Sequence, residues 1–562
     1  MHSSLKRDCE QTSEVKSIGI TYLVNKIIIM LKKLIFYCTL MALATISSSL
    51  SILLLQPTPS TSHHIWTMNL LKGLLSKGHH VHIVSNHEPN IKGKLAQNMT
   101  YAIFDIMQQL HEAEDYEPND WEKLNVFQTM SILYNLGLSI CEKTVETREA
   151  KELLERIKNV EFDVIVHGVT FFQCLYGLWE VAKGKPPVVG YIPFGLAPCL
   201  KDYIGGTYYP TVRSYSSIDI AKPEGLWQKT WNTIYYIADD FLRSYYYMPL
   251  SQRIAERYIG QEIRPLHELE KNITILLINT HPAFEPAIPL PPNAIEIGGL
   301  HAQPLQTTDE KAVIYPDSIR EFLDGAENGA VIVSLGTNVN WKSIELEKLK
   351  AVTQAFSKLK ERVIWKLDIE LPFQVPNNVM VVKWLQQNEI LSHKNVRAIW
   401  THGGLLSTQE AIWKGVPVIG MPFFMDQKPN VELLVHKGAG VRLNFATLST
   451  ESILDAFEKV LYNKSYTKNM KRLSNEFRDR PVPPLDLAIW WIEYAARHPP
   501  GNLESPLRSQ SWVIQNLIDI YAFLFLILIV ILSFIFFILK KLFKFYCNRV
   551  CSVSKLQKRK QM

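Results

Sequence analysis

Between Trp384 and Gln427 the chain sets side chains suited to a nucleotide within one short segment. They are Trp384-Leu385-Gln386-Gln387-Asn388, then His402-Gly403-Gly404, Ser407, Glu410 and the pair Asp426-Gln427. That supplies an aromatic plate, a glycine-bearing loop, carboxylates and an amide. A loop of this kind between a strand and a helix binds anions, because unpaired backbone N–H groups and the positive helix end converge there. A second constellation, His63-His64, follows the first apolar run of the body, and an imidazole takes up a proton near neutral pH.

The elements that must position these groups read as alternating strands and helices. Val396 to Trp400 is a buried parallel strand that runs into the glycine loop. Ser407 and Glu410 fit a capping box, so the spacing predicts a helix from Ser407 through Ile412 and Trp413 to a stop at Gly415, with the next strand at Val416 to Gly420. Upstream, strand Ile52 to Leu55, a loop to Ser62, a helix from Ile65 to Lys77 with Trp66, Leu70 and Leu74 on one face, and strand Val81 to Val84 form a βαβ unit. His63 and His64 then stand in the loop at the carboxyl end of the first strand, where ligands bind in open parallel sheets. Further strands are expected at Val164 to Val166, Ile273 to Ile278, Ala330 to Leu335, Val363 to Leu367 and Val379 to Val382.

The donor segment, carried by THGGLLSTQEAIWKGVP and the residues around it, resembles that of the UDP-dependent glycosyltransferases of family 1. It is closest to the membrane-bound animal UDP-glucuronosyl/glucosyltransferases, with an invertebrate cast, and the likeness extends from about Ile52 to the C-terminus. The resemblance implies that Trp384 stacks on uracil and that Gln387 and Glu410 contact the ribose. It implies that Ser334, Thr337, His402, Gly404 and Ser407 face the diphosphate, and that Asp426 and Gln427 hold sugar hydroxyls. It assigns the general base to His63, with His64 as the fallback. Two positions depart from the family pattern, Gln386 where proline is usual and Leu406 where asparagine is frequent. A third departure concerns the acid that orients the histidine. After Val164 to Val166 come His167 and Gly168, the next acid is Glu180, and Asp163 precedes the strand. The orienting acid is therefore unknown, and His167 is one candidate to replace it.

The chain has 562 residues, 47% of them hydrophobic, enough for two sizeable cores. Its net charge of +6 comes from its ends: residues 34–539 carry 46 basic and 51 acidic side chains, which gives no support for nucleic-acid binding. Leu31-Lys32-Lys33, the apolar run Leu34 to Ile46 and Ser47 to Ser49 read as a secretory signal whose natural start is Met30. Ile520 to Leu539 is uncharged and long enough to cross a bilayer, and the basic tail after it places the body in the lumen. Lys558 and Lys560 match a dilysine retrieval pattern, so the expected location is the endoplasmic-reticulum membrane. Of the cysteines, Cys141, Cys174 and Cys199 fall in the body and allow one bridge with one thiol left over. Sequons stand at Asn98, Asn272 and Asn463. From Tyr203 to His267 the chain is rich in aromatic residues, which suits an apolar acceptor cleft or core helix faces.

The expected organisation is a leader at 1–49, an acceptor-binding Rossmann-like domain at 50–290, a UDP-sugar-binding Rossmann-like domain at 291–498, a linker at 499–519, a transmembrane helix at 520–539 and a basic cytosolic tail at 540–562. This is an α/β chain of the GT-B architecture, two facing Rossmann-like domains. The resemblance implies inverting transfer of a hexose, glucose favoured, from UDP-sugar to a hydroxyl of a small lipophilic acceptor. UDP-sugar is then a co-substrate, and neither a cofactor nor a metal is expected, since no Asp-x-Asp motif or Cys/His metal spacing occurs. The alternative is a membrane-tethered UDP-sugar-binding protein with impaired catalysis. A homo-oligomer stays open.

Overall fold

Short runs of β-branched and aliphatic residues, apolar on both faces, require a parallel sheet covered on both sides. The computed structural model contains two such sheets. It describes residues 28, 30–33, 49–104, 106, 118–195, 198–303, 316–337, 339 and 341–560. The chain falls into two compact units, Met1–Leu50 and Ser51–Met562. In the first unit Ile28 and Met30–Lys33 are helical, and the expected signal core from Leu34 lies outside the described residues.

In the second unit the first sheet consists of β1 (Ser51–Gln56), β2 (His80–Ser85), β3 (Met99–Ile103), β4 (Val164–Gly168), β5 (Val188–Ile192), β6 (Ile273–Ile278) and β7 (Ala294–Glu296). Its order is β3-β2-β1-β4-β5-β6-β7, and every pair is parallel. The second sheet consists of β8 (Ala330–Ser334), β9 (Arg362–Lys366), β10 (Val379–Val382), β11 (Val396–Thr401), β12 (Val418–Gly420) and β13 (Gly440–Arg442). Its order is β10-β9-β8-β11-β12-β13, again all parallel. Ile52 to Leu55, Ile273 to Ile278 and Ala330 to Val333 are buried throughout, as strands covered on both faces must be.

The helices that matter for the site are α1 (Thr61–Ser76), α2 (Val126–Glu146), α3 (Gly225–Leu242), α4 (Leu346–Ser357), α5 (Leu405–Lys414), α6 (Gln427–His436), α7 (Pro484–Arg497) and α8 (Ile518–Lys560). α7 returns to the first sheet, as expected for Ala488 to Arg497. Its Glu493 pairs with the buried His79 at 3.1 Å, and it approaches α1 so closely at Gly73 that a Cβ there would lie 2.8 Å from Leu485 Cδ1.

Two helix starts differ from expectation. α1 begins at Thr61 rather than Ile65, so His63 and His64 belong to its first turn and not to the preceding loop. α5 begins at Leu405 with Gly404 as its cap residue, which puts Ser407 and Glu410 inside the helix instead of in a capping box. The local cap pattern lost to the glycine turn, which already ends where the strand delivers it. Gly415 closes α5 in the left-handed conformation, as expected. β7 lies beyond the expected division at 290/291 and pairs with β6. The segment 499–519 is not a free linker: Arg508 is buried, and its Nη2 donates to the Glu270 carbonyl at 3.3 Å. α8 runs on past Leu539, and its stretch Ile518–Val550 is long and apolar enough to cross a membrane. Asn272 and Asn463 are exposed and Asn98 is half-buried.

Cys141 and Cys174 are bridged, joining α2 to the turn after β4, and Cys199 keeps a free thiol. The bridge closes a loop of 33 residues. Opening it in a Cys141→Ala/Cys174→Ala variant is expected to cost about 3 to 4 kcal/mol by the loop-entropy relation. Peptide mapping of the unreduced protein checks the pairing, with Cys199 alkylated and the 141–174 pair protected. A lowered denaturation midpoint of the variant checks the cost.

Candidate active site

An open parallel sheet presents a crevice at the carboxyl ends of the two strands from which the chain departs in opposite directions. In the first sheet these are β1 and β4, and in the second they are β8 and β11. β1 delivers His63 and His64, and β4 ends in His167 and Gly168. β8 ends in Ser334 and the Gly336-Thr337 turn, and β11 ends in Thr401 and His402.

On the second sheet the sequence-derived residues come together. The His402 imidazole lies between two glycines, where a Cβ at Gly336 would stand 2.4 Å from its Cε1 and one at Gly404 2.5 Å from its Nε2. Gly336 and Gly403 also adopt φ of +75° and +82°, which disfavour a side chain. Burial, reinforced by Lys366, lowers the His402 pKa from 6.5 to about 4, so the ring is neutral near pH 7. Ser334 accepts from the Gly336 N–H at 3.4 Å, and Thr337 follows in the same turn. Lys366, the last residue of β9, donates to the Gly336 carbonyl at 2.6 Å and stands 4.8 Å over the Trp384 ring. Trp384 itself is 50% exposed, so a planar face is open to stacking.

Gln387 links that segment to α5. Its Nε2 donates to Ser407 Oγ at 3.0 Å and to Glu410 Oε2 at 2.6 Å. Burial raises the Glu410 carboxyl from 4.5 to about 7, against the lowering effect of Gln387. Asp426 accepts from Asn430 Nδ2 at 3.0 Å and from the Leu405 backbone N–H, yet burial still raises it to about 6. Gln427 is buried, and its carbonyl oxygen accepts from the Phe423 and Phe424 N–H groups, so only its amide nitrogen is oriented for a further donation. The turn it holds places Met425 at φ +51°, a strained setting for a residue with a side chain.

On the first sheet His63 and His64 diverge. The His63 ring stacks on Phe194 at 5.4 Å, while His64 is buried against His87 at 5.1 Å. Burial lowers both to about 4, with His87 adding to the effect on His64. The His63 Nδ1 is buried and has no hydrogen-bond partner among the described residues. None of the candidate orienting groups serves it. Asp163 accepts from the Ser51 N–H at the opposite end of the sheet, Glu180 is held by Arg264, and His167 accepts from the Trp179 indole at 3.0 Å. At the carboxyl end of β4 a Cβ on Gly168 would lie 3.1 Å from the Tyr191 ring. The Tyr191 hydroxyl accepts from Thr67, which itself bonds the His63 carbonyl one turn away. A phenol therefore stands beneath the histidine turn.

Phe194 and Asp426 line one cavity, together with Arg213, Glu285, Tyr236 and Met425. An adjoining cavity shares Phe194 and Met425 and is bounded by Tyr134, Tyr247, Asp239 and Arg243. Tyr215, Tyr236 and Tyr247 from the aromatic stretch reach the cavities, whereas Trp227, Trp231, Tyr245 and Tyr246 are exposed and fill neither cleft nor core. Sequence reasoning missed Lys366, Asn430, His301 and Gln409. Lys366 was recoverable, since it ends the strand beside β8. His301, which donates to the Leu406 carbonyl, and Gln409, which bridges Gly299 N–H to the Asn279 carbonyl, answer contacts distant in sequence that no local pattern announces.

The family described as UDP-glucoronosyl and UDP-glucosyl transferase matches residues 52–558. The chain is 30% identical to UDP-glucosyltransferase 2 of Dactylopius coccus, over 94% of this chain and 99% of that protein. It is 29% identical to UDP-glucuronosyltransferase 2B1 of Rattus norvegicus, over 88% and 94%. The fold resembles the glycotransferase of kitacinnamycin, with a TM-score of 0.54 at 16% identity over 80% of this chain and 99% of that one. It also resembles the calicheamicin glycosyltransferase CalG4, with a TM-score of 0.52 at 17% identity over 80% and 100%.

The raised Glu410 pKa has a stability consequence. Between about pH 4.5 and 7 the folded chain holds a proton that the unfolded chain has released, so stability falls as pH rises through that window. Glu410→Gln removes the ionisable group. The variant is expected to match the wild type below pH 4.5 and to exceed it by about 1 to 3 kcal/mol at pH 8. Urea denaturation at the two pH values measures this, and an unchanged difference would show Glu410 to be readily ionised in the fold.

Proposed function

The chain belongs to the family of UDP-glucuronosyl and UDP-glucosyl transferases, and from that premise we propose that this UDP-hexosyltransferase moves a neutral hexose, glucose first, to a hydroxyl of a small lipophilic acceptor by one inverting displacement. The observation that carries the reading is the single cavity flanked by Phe194, against which His63 stacks, and by Asp426. An acceptor hydroxyl beside His63 and a sugar beside Asp426 would meet there.

In this reading Trp384 stacks on uracil, Gln387 and Glu410 take the ribose hydroxyls, and Asp426 with the Gln427 amide holds the sugar. His63 accepts the hydroxyl proton as the acceptor oxygen bonds to the anomeric carbon and the bond from that carbon to the diphosphate oxygen breaks. The backbone N–H groups that open α5, the Ser407 hydroxyl, His402 and Lys366 stabilise the departing UDP by fixed dipoles and one cation, with no metal required. A neutral sugar is favoured because the cavity carries the carboxyls of Asp426 and Glu285, while its arginine, Arg213, is paired to Glu285 at 2.8 Å. A uronate would lack an uncommitted cation there. His63 at about 4 is a weak base, so acidic hydroxyls such as phenols are the better acceptors.

For location we propose the endoplasmic-reticulum membrane with the body in the lumen. The 141–174 bridge suits an oxidising compartment, and α8 with its basic tail suits a single pass. A second reading, donor binding without turnover, draws on the partnerless Nδ1 of His63.

UDP release by membranes bearing the chain tests both readings. With UDP-glucose and a phenol, release is expected to require the acceptor, to exceed that with an aliphatic alcohol roughly tenfold, and to fall roughly 10²–10⁴-fold in His63→Ala. Silence of wild type and variant alike, with UDP-glucose still bound, would favour the second reading. Because His63 must be unprotonated, its limb in kcat/KM is expected as pH drops through about 4. A limb at about 6 would belong to Asp426 and should vanish in Asp426→Asn. Lys366→Met is expected to lower kcat/KM roughly 10- to 100-fold by removing a charged contact to the diphosphate, and an unchanged value would remove Lys366 from the site.

A further inference from the structure

α3 has one face in the core and one bare. Asn232, Tyr236, Asp239 and, just beyond it, Arg243 recur at helical spacing and are buried. On the other side run Trp227, Trp231, Ile234, Ile237, Phe241 and Tyr245, exposed by between 37% and 73%. Between Gly225 and Tyr246 the charged residues are turned away from full exposure: Lys229 is half-buried, Asp239 is buried, Arg243 pairs with Glu270 and Asp202, and Asp240 pairs with Lys201. A surface helix ordinarily turns charged residues outward, and a contiguous apolar stripe of this length marks a surface that something covers.

The place of the stripe in the molecule identifies the cover. The carboxyl end of α3 is tied to the segment that leads into α8, because Arg243 pairs with Glu270 and the Glu270 carbonyl accepts from Arg508. The backbone of Arg508 also packs on Gly205, next to the helix Leu200–Ile204 that carries Lys201. From Arg508 to the start of α8 at Ile518 the chain spans at most about 35 Å even if fully extended. That interval exposes Trp512, Val513, Ile514 and Leu517 as well. The composition fits the same partner, since Trp and Tyr mixed with aliphatic residues suit the boundary between lipid headgroups and acyl chains. The six residues of the stripe carry no charge for a charged protein partner to pair with.

We propose that α3 lies along the membrane surface with its uncharged stripe in the lipid, a second attachment beside α8. The proposal rests on α8 spanning that membrane, and the test reads both. The full chain, with its other free cysteines changed to serine, carries an environment-sensitive fluorophore on Ile237→Cys, on Leu528→Cys in α8, or on Leu346→Cys, an exposed residue of α4. Each is reconstituted into phosphatidylcholine nanodiscs containing nitroxide-labelled lipid. Quenching at Ile237 at least threefold stronger than at Leu346, with Leu528 quenched too, is the expected result. Quenching at Ile237 no greater than at Leu346 while Leu528 is quenched would overturn the proposal and leave the span intact. An unquenched Leu528 would remove the span and the proposal together. Shielding of Ile237 that persists in detergent with a dimeric mass and is lost on dilution would overturn it in favour of a second copy of the chain. Ile237→Glu, at an exposed position, gives an independent readout: its folded body is expected to lose protection from hydrogen exchange across 226–246 in nanodiscs, and unchanged protection would count against the lipid contact.

Discussion

A sheet whose strands all run parallel cannot leave a face in water, and that constraint shapes the rest of this molecule. It forces helical crossovers onto both faces and sends every strand's carboxyl end to the same edge. The candidate site residues therefore gather at the carboxyl ends of strands, His63 and His64 after β1 and, on the second sheet, Ser334, Trp384, His402 and Asp426 after β8, β10, β11 and β12. The glycines there follow from the same crowding. His402 fills the gap between Gly336 and Gly404, so the ring and the missing side chains define one another, and the Leu405 N–H that opens α5 is taken by Asp426.

Much of this was legible in the sequence, and the part that failed did so for identifiable reasons. Strands such as Ile273–Ile278 are near-continuous apolar runs whose ends are marked by turn residues, and Gly415 ends α5 where the pattern said it would. The start of α5 was misplaced because the capping preferences of Ser and Glu are weak beside the geometry with which a strand hands over its chain, and that of α1 because its first turn, Thr61 to His64, is polar and reads as loop. Trp384, Gln387, Ser407, Glu410 and Asp426 were read together and stand in one connected region, since their spacing along a strand–turn–helix unit is itself local. Lys366 was recoverable from its place at the end of β9 but was not read, and Tyr191 was not read because its partners, Thr67 on α1 and Leu55 on β1, are distant in sequence.

The aromatic stretch after Tyr203 shows the limit of composition more sharply. Tyr236 and Trp231 lie five residues apart on α3, and one is in the core while the other faces out. Nothing in their chemistry separates them. Their assignment follows from the buried ion pairs of Arg243 and from Asp239, which accepts from Tyr134 and Tyr215, because these fix which side of α3 turns inward. Polar groups that must be satisfied set the rotation of the helix, and the apolar groups take what remains.

The same economy of charge runs through the site. Burial lowers His63 and His402 to about 4 and raises Asp426 and Glu410 to about 6 and 7, so each group is pushed toward its neutral form. A carboxylate beside His63 would support its protonated form, but it would itself have to ionise in the same dry crevice. With the neutral Tyr191 phenol of β5 bonded to Thr67 one turn along α1, the crevice avoids that cost and, on the proposed reading, keeps a weaker base. On that reading a weak base serves acidic hydroxyls best, and a cavity lined by tyrosine, phenylalanine and methionine suits lipophilic ones. The proposed base strength, acceptor polarity and donor charge are then coupled through one quantity, the free energy of placing charge between the two sheets.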